Sequence, residues 1–201
     1  MTWIRTVVPD EAQGQLRVMY DRIRGPSGGV DNILIAHSLR PHTLAGHLGL
    51  YKSTLHHSGN RLPASFLEII GVHVSHLNGC HYCVRHHAAG LERLLDDRVR
   101  CAAVLEALQS GRLDGVFDER EIAALGYARR LTLQPWEVSE ADIDRLRAAG
   151  YDDGEILEVN QVVSYFAYAN RTVLGLGVTT AGDVLGNAPS DSADADDWRH
   201  R

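Results

Sequence analysis

The chain reads as an all-α protein, and three observations carry that reading. Nearly every apolar run recurs at three- and four-residue spacing rather than alternating, helix caps and stops punctuate the chain at regular intervals, and no segment has the period-two pattern of a half-buried strand. Asp10 is placed to cap a first helix through Leu16, Met19, Tyr20 and Ile23, which stops at the loop Gly25-Pro26-Ser27-Gly28-Gly29. A short helix follows over 32–38, and Pro41 opens a longer one through Leu44, Leu48 and Tyr51 toward Ser58-Gly59-Asn60. Pro63 starts the next. Phe66, Leu67, Ile69, Ile70, Val72, Val74 and Leu77 cover so much of its circumference that this helix must be largely buried, with Glu68 inside it. Asn78-Gly79 ends it, so that Cys80 opens the following helix through Leu91 and Leu95. Further helices are expected over 98–109, 118–131 and 139–149, and a long one from Asp153 through Val159 and Phe166 beyond Asn170.

With 201 residues, 44% of them hydrophobic and 23% charged, the chain is expected to form one domain over 1–186, its core at about 61–180. The stretch 187–201 is small and acidic and is expected to be a disordered tail. Sliding 61–90 along the chain sets Glu68 beside Glu121 and Ala88-Ala89-Gly90 beside Ala148-Ala149-Gly150, a weak internal repeat of helix pairs. The net charge of −6, with basic residues scattered among acids, excludes a concentrated face for nucleic acid. Residues 1–10 carry no apolar leader core and no run approaches a membrane span, so a cytoplasmic location with no membrane partner is expected. Gly175-Leu176-Gly177 has no preceding strand and implies no nucleotide, and no cofactor is called for.

The chemistry concentrates between Glu68 and His87. At roughly 100° per residue, Cys80, Cys83 and His87 fall within a wedge of about 60° and face one pocket. Residues three apart on a helix lie about 5–6 Å apart at Cβ, close to disulfide geometry. The free N–H groups of a first helical turn stabilise a thiolate, and an imidazolium adds to this. An unpaired Glu68 in an apolar helix would cost several kcal/mol, so it needs a partner such as His87. A rival reading of the same residues is zinc: His73, His76, Cys80, Cys83 and His87 project along one line if the two helices were continuous, although Asn78-Gly79 interrupts that line. A non-catalytic metal-binding or redox-sensing module is therefore the alternative function. Cys101 reads as a small buried hydrophobe, and His42, His47, His56, His57 and His86 as surface or capping residues. Tyr165, Phe166 and Tyr168 read as core or interface.

Glu68, twelve residues, Cys80-x-x-Cys83, three residues and His87 resemble the signature of the alkylhydroperoxidase D (AhpD-like) group in the carboxymuconolactone decarboxylase superfamily. Asn32-Ile33 to Ser38-Leu39-Arg40-Pro41 and Asn78-Gly79-Cys80-His81-Tyr82-Cys83 resemble its peroxidase-related branch. The stretch from Gly150-Tyr151-Asp152-Asp153-Gly154-Glu155 to Asn170-Arg171 is similar to the helix pair closing that superfamily's core. The resemblance implies an all-helical homo-oligomer that reduces hydroperoxides through a Cys80–Cys83 disulfide and is reset by a thiol or dithiol reductant. It further implies that Cys83 is the attacking cysteine, that Cys80 resolves, and that Glu68 and His87 form a proton relay. One position departs: where the best-studied form has a second relay histidine before the second cysteine, this chain has Tyr82, with His81 pointing elsewhere. Helices 63–77 and 153–177, apolar on more than one face, also point to burial against another subunit. Lactone decarboxylation would give the two thiols no role.

Overall fold

Helix α4 (Ala64–Leu77) is the centre of the molecule, and the ten residues Phe66–Ser75 are all buried. The computed structural model describes residues 2–200. Around α4 pack α5 (His81–Leu95), α6 (Arg98–Ser110), α7 (Glu119–Leu133) and α9 (Asp153–Leu176). A helix apolar around its whole circumference is stable only when enclosed on every side, and four neighbours from the same chain enclose this one. The α4 surface therefore does not call for a second subunit, contrary to the sequence expectation. Helix α9 does keep apolar residues in the open, among them Leu157 and Leu174.

The remaining helices are α1 (Gly14–Ile23), α2 (Asn32–Ile35), α3 (Pro41–Leu55) and α8 (Glu140–Ala148), and no strand occurs among the described residues. The first of them departs from expectation. Pro9–Glu11 form a separate 3-10 turn, and α1 starts after Gln13, so Asp10 does not cap it. The later starts follow the sequence signals: Asp118, Ser139 and Asp152 each close a reciprocal capping box with the residue three positions on, a device worth about 1 kcal/mol per cap. Glu121 is used in such a box, whereas Glu68 is buried in mid-helix. The two positions paired by the internal repeat thus do unrelated work.

Close approach of α4 and α9 rests on Gly71. A Cβ there would stand 2.2 Å from the Phe166 ring, so only glycine lets this fully buried ring lie against the α4 backbone.

The acidic C-terminal segment lies against the body instead of trailing free. Trp198, 7% exposed, joins a cluster with Leu16, Tyr20, Ile23, Leu44 and Leu48. The buried ammonium of Lys52 donates to the Ser190 carbonyl at 2.5 Å, the Ser192 amide donates to the His56 carbonyl at 3.0 Å, and Asp196 pairs with Arg22. Composition reads such a stretch as disordered because it holds little apolar area. One indole, a carbonyl that accepts from a buried cation and a few further polar contacts are enough to dock it.

Candidate active site

The turn between α4 and α5 sets the site. Gly79 adopts φ +67°, a left-handed conformation that ends α4, and the Cys80 amide then donates back to the Ser75 carbonyl at 2.9 Å. Cys80 is thereby fixed as the N-cap of α5 and Cys83 falls in its first turn. Both thiols are free and buried, Cys80 completely and Cys83 at 2% exposure. Cys83 lines a cavity together with Glu68 and His87, and Cys80 stands behind it.

The two sulfurs differ in acidity. The Cys80 thiol is pulled down to about 7, chiefly by the hydrogen bond from the Cys83 thiol, with the first-turn N–H groups of Cys83 and Tyr82 and the charge of His87 adding to it against burial. The Cys83 thiol is pushed up by its Cys80 neighbour and by burial, and Asn170 opposes this through a hydrogen bond. Two sulfurs in contact in a dry site share one negative charge more readily than they carry two. That charge rests on Cys80.

Glu68 and His87 meet as the sequence expects. His87 Nδ1 lies 2.6 Å from Glu68 Oε2 across the α4–α5 contact, with both side chains largely buried. Gly90 flanks the carboxylate, and a Cβ there would meet Glu68 Oε1 at 3.6 Å, an ordinary contact. The Phe166 ring packs edge-on against the imidazole with centroids 4.6 Å apart, so Gly71, Phe166 and His87 form one packed column. Below the thiols a polar group that spacing did not reveal completes the floor. Asn170, fully buried, donates to Ser75 Oγ at 3.1 Å and accepts from Asn78 at 2.9 Å. The available signal was a lone amide on the buried stripe of α9, four residues after Phe166.

Tyr82 is turned away from the sulfurs. Its hydroxyl donates to Asp183 Oδ2 at 2.7 Å and accepts from the Ile33 amide at 3.1 Å, while its ring stacks on His86 at 4.5 Å. Burial and the Asp183 and Asp31 carboxylates hold its proton firmly, so it ties α5 to the 31–33 and 183 loops and cannot stand in for a relay histidine. His86 is no surface residue. Its Nε2 meets Asp183 Oδ2 at 3.1 Å and its Nδ1 faces Asp31 Oδ2 at 3.9 Å, and burial raises Asp31 to about 6. His47 and His56 are likewise buried rather than superficial, and burial drives His47 down to about 3, leaving it neutral in the cavity wall.

The zinc line does not assemble. His73 is buried and held down to about 4 by burial, with the Arg129 charge adding to this, and Gly79 turns α5 out of register with α4. Among the described residues, the ligand atoms that gather within 4.8 Å as a set of three or more are those of Asp31, His86 and Asp183, not the Cys/His set. Cys101 packs among core aliphatics, as expected. No helix among the described residues is long and apolar enough to cross a membrane.

The carboxymuconolactone decarboxylase family model matches residues 41–130, which span α3 to most of α7 and include both cysteines, Glu68 and His87. No curated protein matches the chain. An uncharacterized peroxidase-related protein from Ralstonia eutropha JMP134, described as an alkylhydroperoxidase AhpD core, superposes with a TM-score of 0.78 at 21% identity, covering 89% of this chain and 92% of that one. A peroxidase-related protein from Silicibacter sp. TM1040 gives 0.72 at 25% identity over 89% and 91%. The debrominase Bmp8, solved as a cysteine-to-alanine variant with 2,3,4-tribromopyrrole, shares the fold with a TM-score of 0.66 at 19% identity over 90% and 94%. The carboxymuconolactone decarboxylase pattern runs through the cysteine turn, and the chain is similar in its whole helical arrangement to peroxidase-related proteins with the AhpD-like fold.

Proposed function

We propose that the protein is a thiol-dependent peroxidase that reduces hydroperoxides through a Cys80–Cys83 dithiol–disulfide cycle, with Glu68 and His87 moving the proton. The observation that carries this reading is the 2.6 Å Glu68–His87 pair facing the same cavity as Cys83, with the acidic Cys80 thiol directly behind it. In the resting pair the charge sits on Cys80 and the proton on Cys83. As a hydroperoxide enters, the Cys83 proton passes to Cys80 and the Cys83 sulfur attacks the terminal peroxide oxygen. The O–O bond breaks, and the departing alkoxide takes a proton from the His87–Glu68 pair, leaving an alcohol and a Cys83 sulfenic acid. Cys80 then returns its proton to His87 and attacks the sulfenic sulfur. Hydroxide leaves, collects that proton as water, and the disulfide remains for a thiol or dithiol reductant to open.

Cys83 is the attacking sulfur in this scheme because it borders the cavity, and Cys80, which carries the negative charge of the resting pair, is placed to accept the Cys83 proton and then to resolve. On metal-free protein, peroxide treatment is expected to remove two thiols per chain while Cys101 stays reduced, read by thiol titration and a mass map. A bridge that includes Cys101, or none, would refute the cycle. Bound metal on the protein as purified, lost together with reactivity in His73→Ala and His76→Ala, would instead favour the metal-module alternative.

Residues 1–186 are proposed as a single helical domain acting in the cytoplasm, a reducing compartment suited to free thiols. Homo-oligomerisation is proposed through the exposed apolar part of α9, where Leu157 and Leu174 are 59% and 44% exposed. Light scattering at micromolar concentration should report a mass above the 22.1 kDa of one chain, and a stable monomer would remove this part of the proposal.

A further inference from the structure

The outer wall of the cysteine cavity is built from the C-terminal segment: Gly186, Asn187, Ala188 and Pro189 line it on one side and Trp198 and His200 on another. Pro189 and His200 close on each other as a β-bridge, and the Ser190 amide donates to the Arg199 carbonyl at 2.6 Å, so the segment is a hairpin-like strap. Polar contacts pin its first arm. Arg93 on α5 donates to the Leu185 carbonyl at 2.6 Å and also to that of Gly186, and Lys52 donates to that of Ser190. On the second arm Trp198 supplies a large apolar anchor, its ring 6.3 Å from that of Tyr51, which lines the same cavity.

With the strap seated, the space open to the centre of a water molecule is about 70 Å³. At about 10–15 Å³ per water that is room for a handful of waters, or for a compact ligand of a few carbon atoms. The walls are mainly apolar, Ile23, Ile33, Leu34 and Tyr165 among them, and favour a hydrocarbon group over bulk water. A substrate with an aromatic ring beyond the peroxide-bearing carbon would meet the Trp198 indole.

Resting on the peroxidase reading above, we propose that Trp198 and the strap carrying it determine specificity at the cysteine site: seated, they admit compact alkyl hydroperoxides and exclude aryl-bearing ones. The wall comes from a segment held by one indole and a few carbonyl contacts, so shortening that side chain enlarges the site without altering α4 or α5.

Two ratios test this in the full chain. One is kcat/KM for tert-butyl hydroperoxide over that for cumene hydroperoxide, and the other is the rate of Cys83 alkylation by iodoacetamide over that by N-phenylmaleimide, mapped by mass spectrometry. Wild type is expected to favour the compact reagent in both, and Trp198→Ala to lower both ratios about tenfold or more. Trp198→Leu, which keeps an apolar anchor and so protects folding, should move them in the same direction. Ratios unchanged in a folded Trp198→Leu would overturn the proposal. If no hydroperoxide is turned over yet the alkylation ratio still falls, the wall stands and the peroxidase reading does not.

Discussion

Cys83→Ser should abolish hydroperoxide turnover, lowering kcat/KM by about a thousandfold or more, because among the described residues no other sulfur borders the cavity and a serine hydroxyl is a poor nucleophile toward a peroxide oxygen. Cys80→Ser should behave differently. Cys83 would still be oxidised once, more slowly for want of its proton acceptor, and would stop at the sulfenic acid, which a dimedone adduct on Cys83 would reveal. The pH profile separates the two thiols further. Cys80 is held down to about 7, so the thiolate fraction of the pair, and with it the single-turnover rate, should rise as pH increases through about 7 and level off above it. An isolated thiol of ordinary acidity would keep rising toward 9. In Cys80→Ser the inflection near 7 should disappear, since the charge it reports resides on the missing sulfur. An inflection that survives this substitution would place the charge of the more acidic thiol elsewhere and break the assigned order of the two cysteines.

Loss of the relay is expected to be the second largest effect. Glu68→Gln keeps the shape of the side chain but removes the charge that orients His87 at 2.6 Å, and His87→Ala removes the proton donor itself. Each should lower the rate of Cys83 oxidation by about a hundredfold, in the range of general acid–base catalysis. The double variant should be no slower than His87→Ala alone, because the two residues act as one unit. Stopped-flow measurement of single-turnover oxidation by tert-butyl hydroperoxide gives all four rates. Additive losses, or wild-type rates in either single variant, would remove the pair from the proton path. A purely structural role makes a different prediction. Glu68 is buried, so if it served only to hold α4 against α5, its substitution would lower Tm and leave the single-turnover oxidation rate of the folded protein unchanged.

The pairing of Glu68 with His87 could be anticipated from the chain because it follows from two strong local rules. An apolar helix cannot carry an unpaired carboxylate cheaply, and Cys80, Cys83 and His87 share a helical face whatever surrounds them. The metal line was legible only as an alternative and failed on a single backbone angle: Gly79 at φ +67° turns α5 away from the axis of α4, so His73 and the cysteines never align. His47, His56 and His86 were misread for another reason. Taken singly, a histidine in an amphipathic sequence is more often at the surface, and burial of His47 beside Tyr165, or of His86 between Asp31 and Asp183, depends on loops and helices far away in the chain.

The amino-acid sequence by itself determined the helices from α2 onward and the wedge that carries the two thiols and His87. These depend on spacing, capping chemistry and the cost of burying charge, all settled within about twenty residues. Tertiary structure decided what encloses that wedge. Only when α9 packs on α4 through Gly71 does Phe166 reach the His87 ring and Asn170 reach the cysteine turn. Only when the chain end returns to Lys52 and Tyr51 does an acidic, low-complexity stretch become the wall of the cavity. Such contacts join residues 79 or more positions apart, and their energy comes from shape fit and from satisfying buried polar groups, neither of which is written in local periodicity.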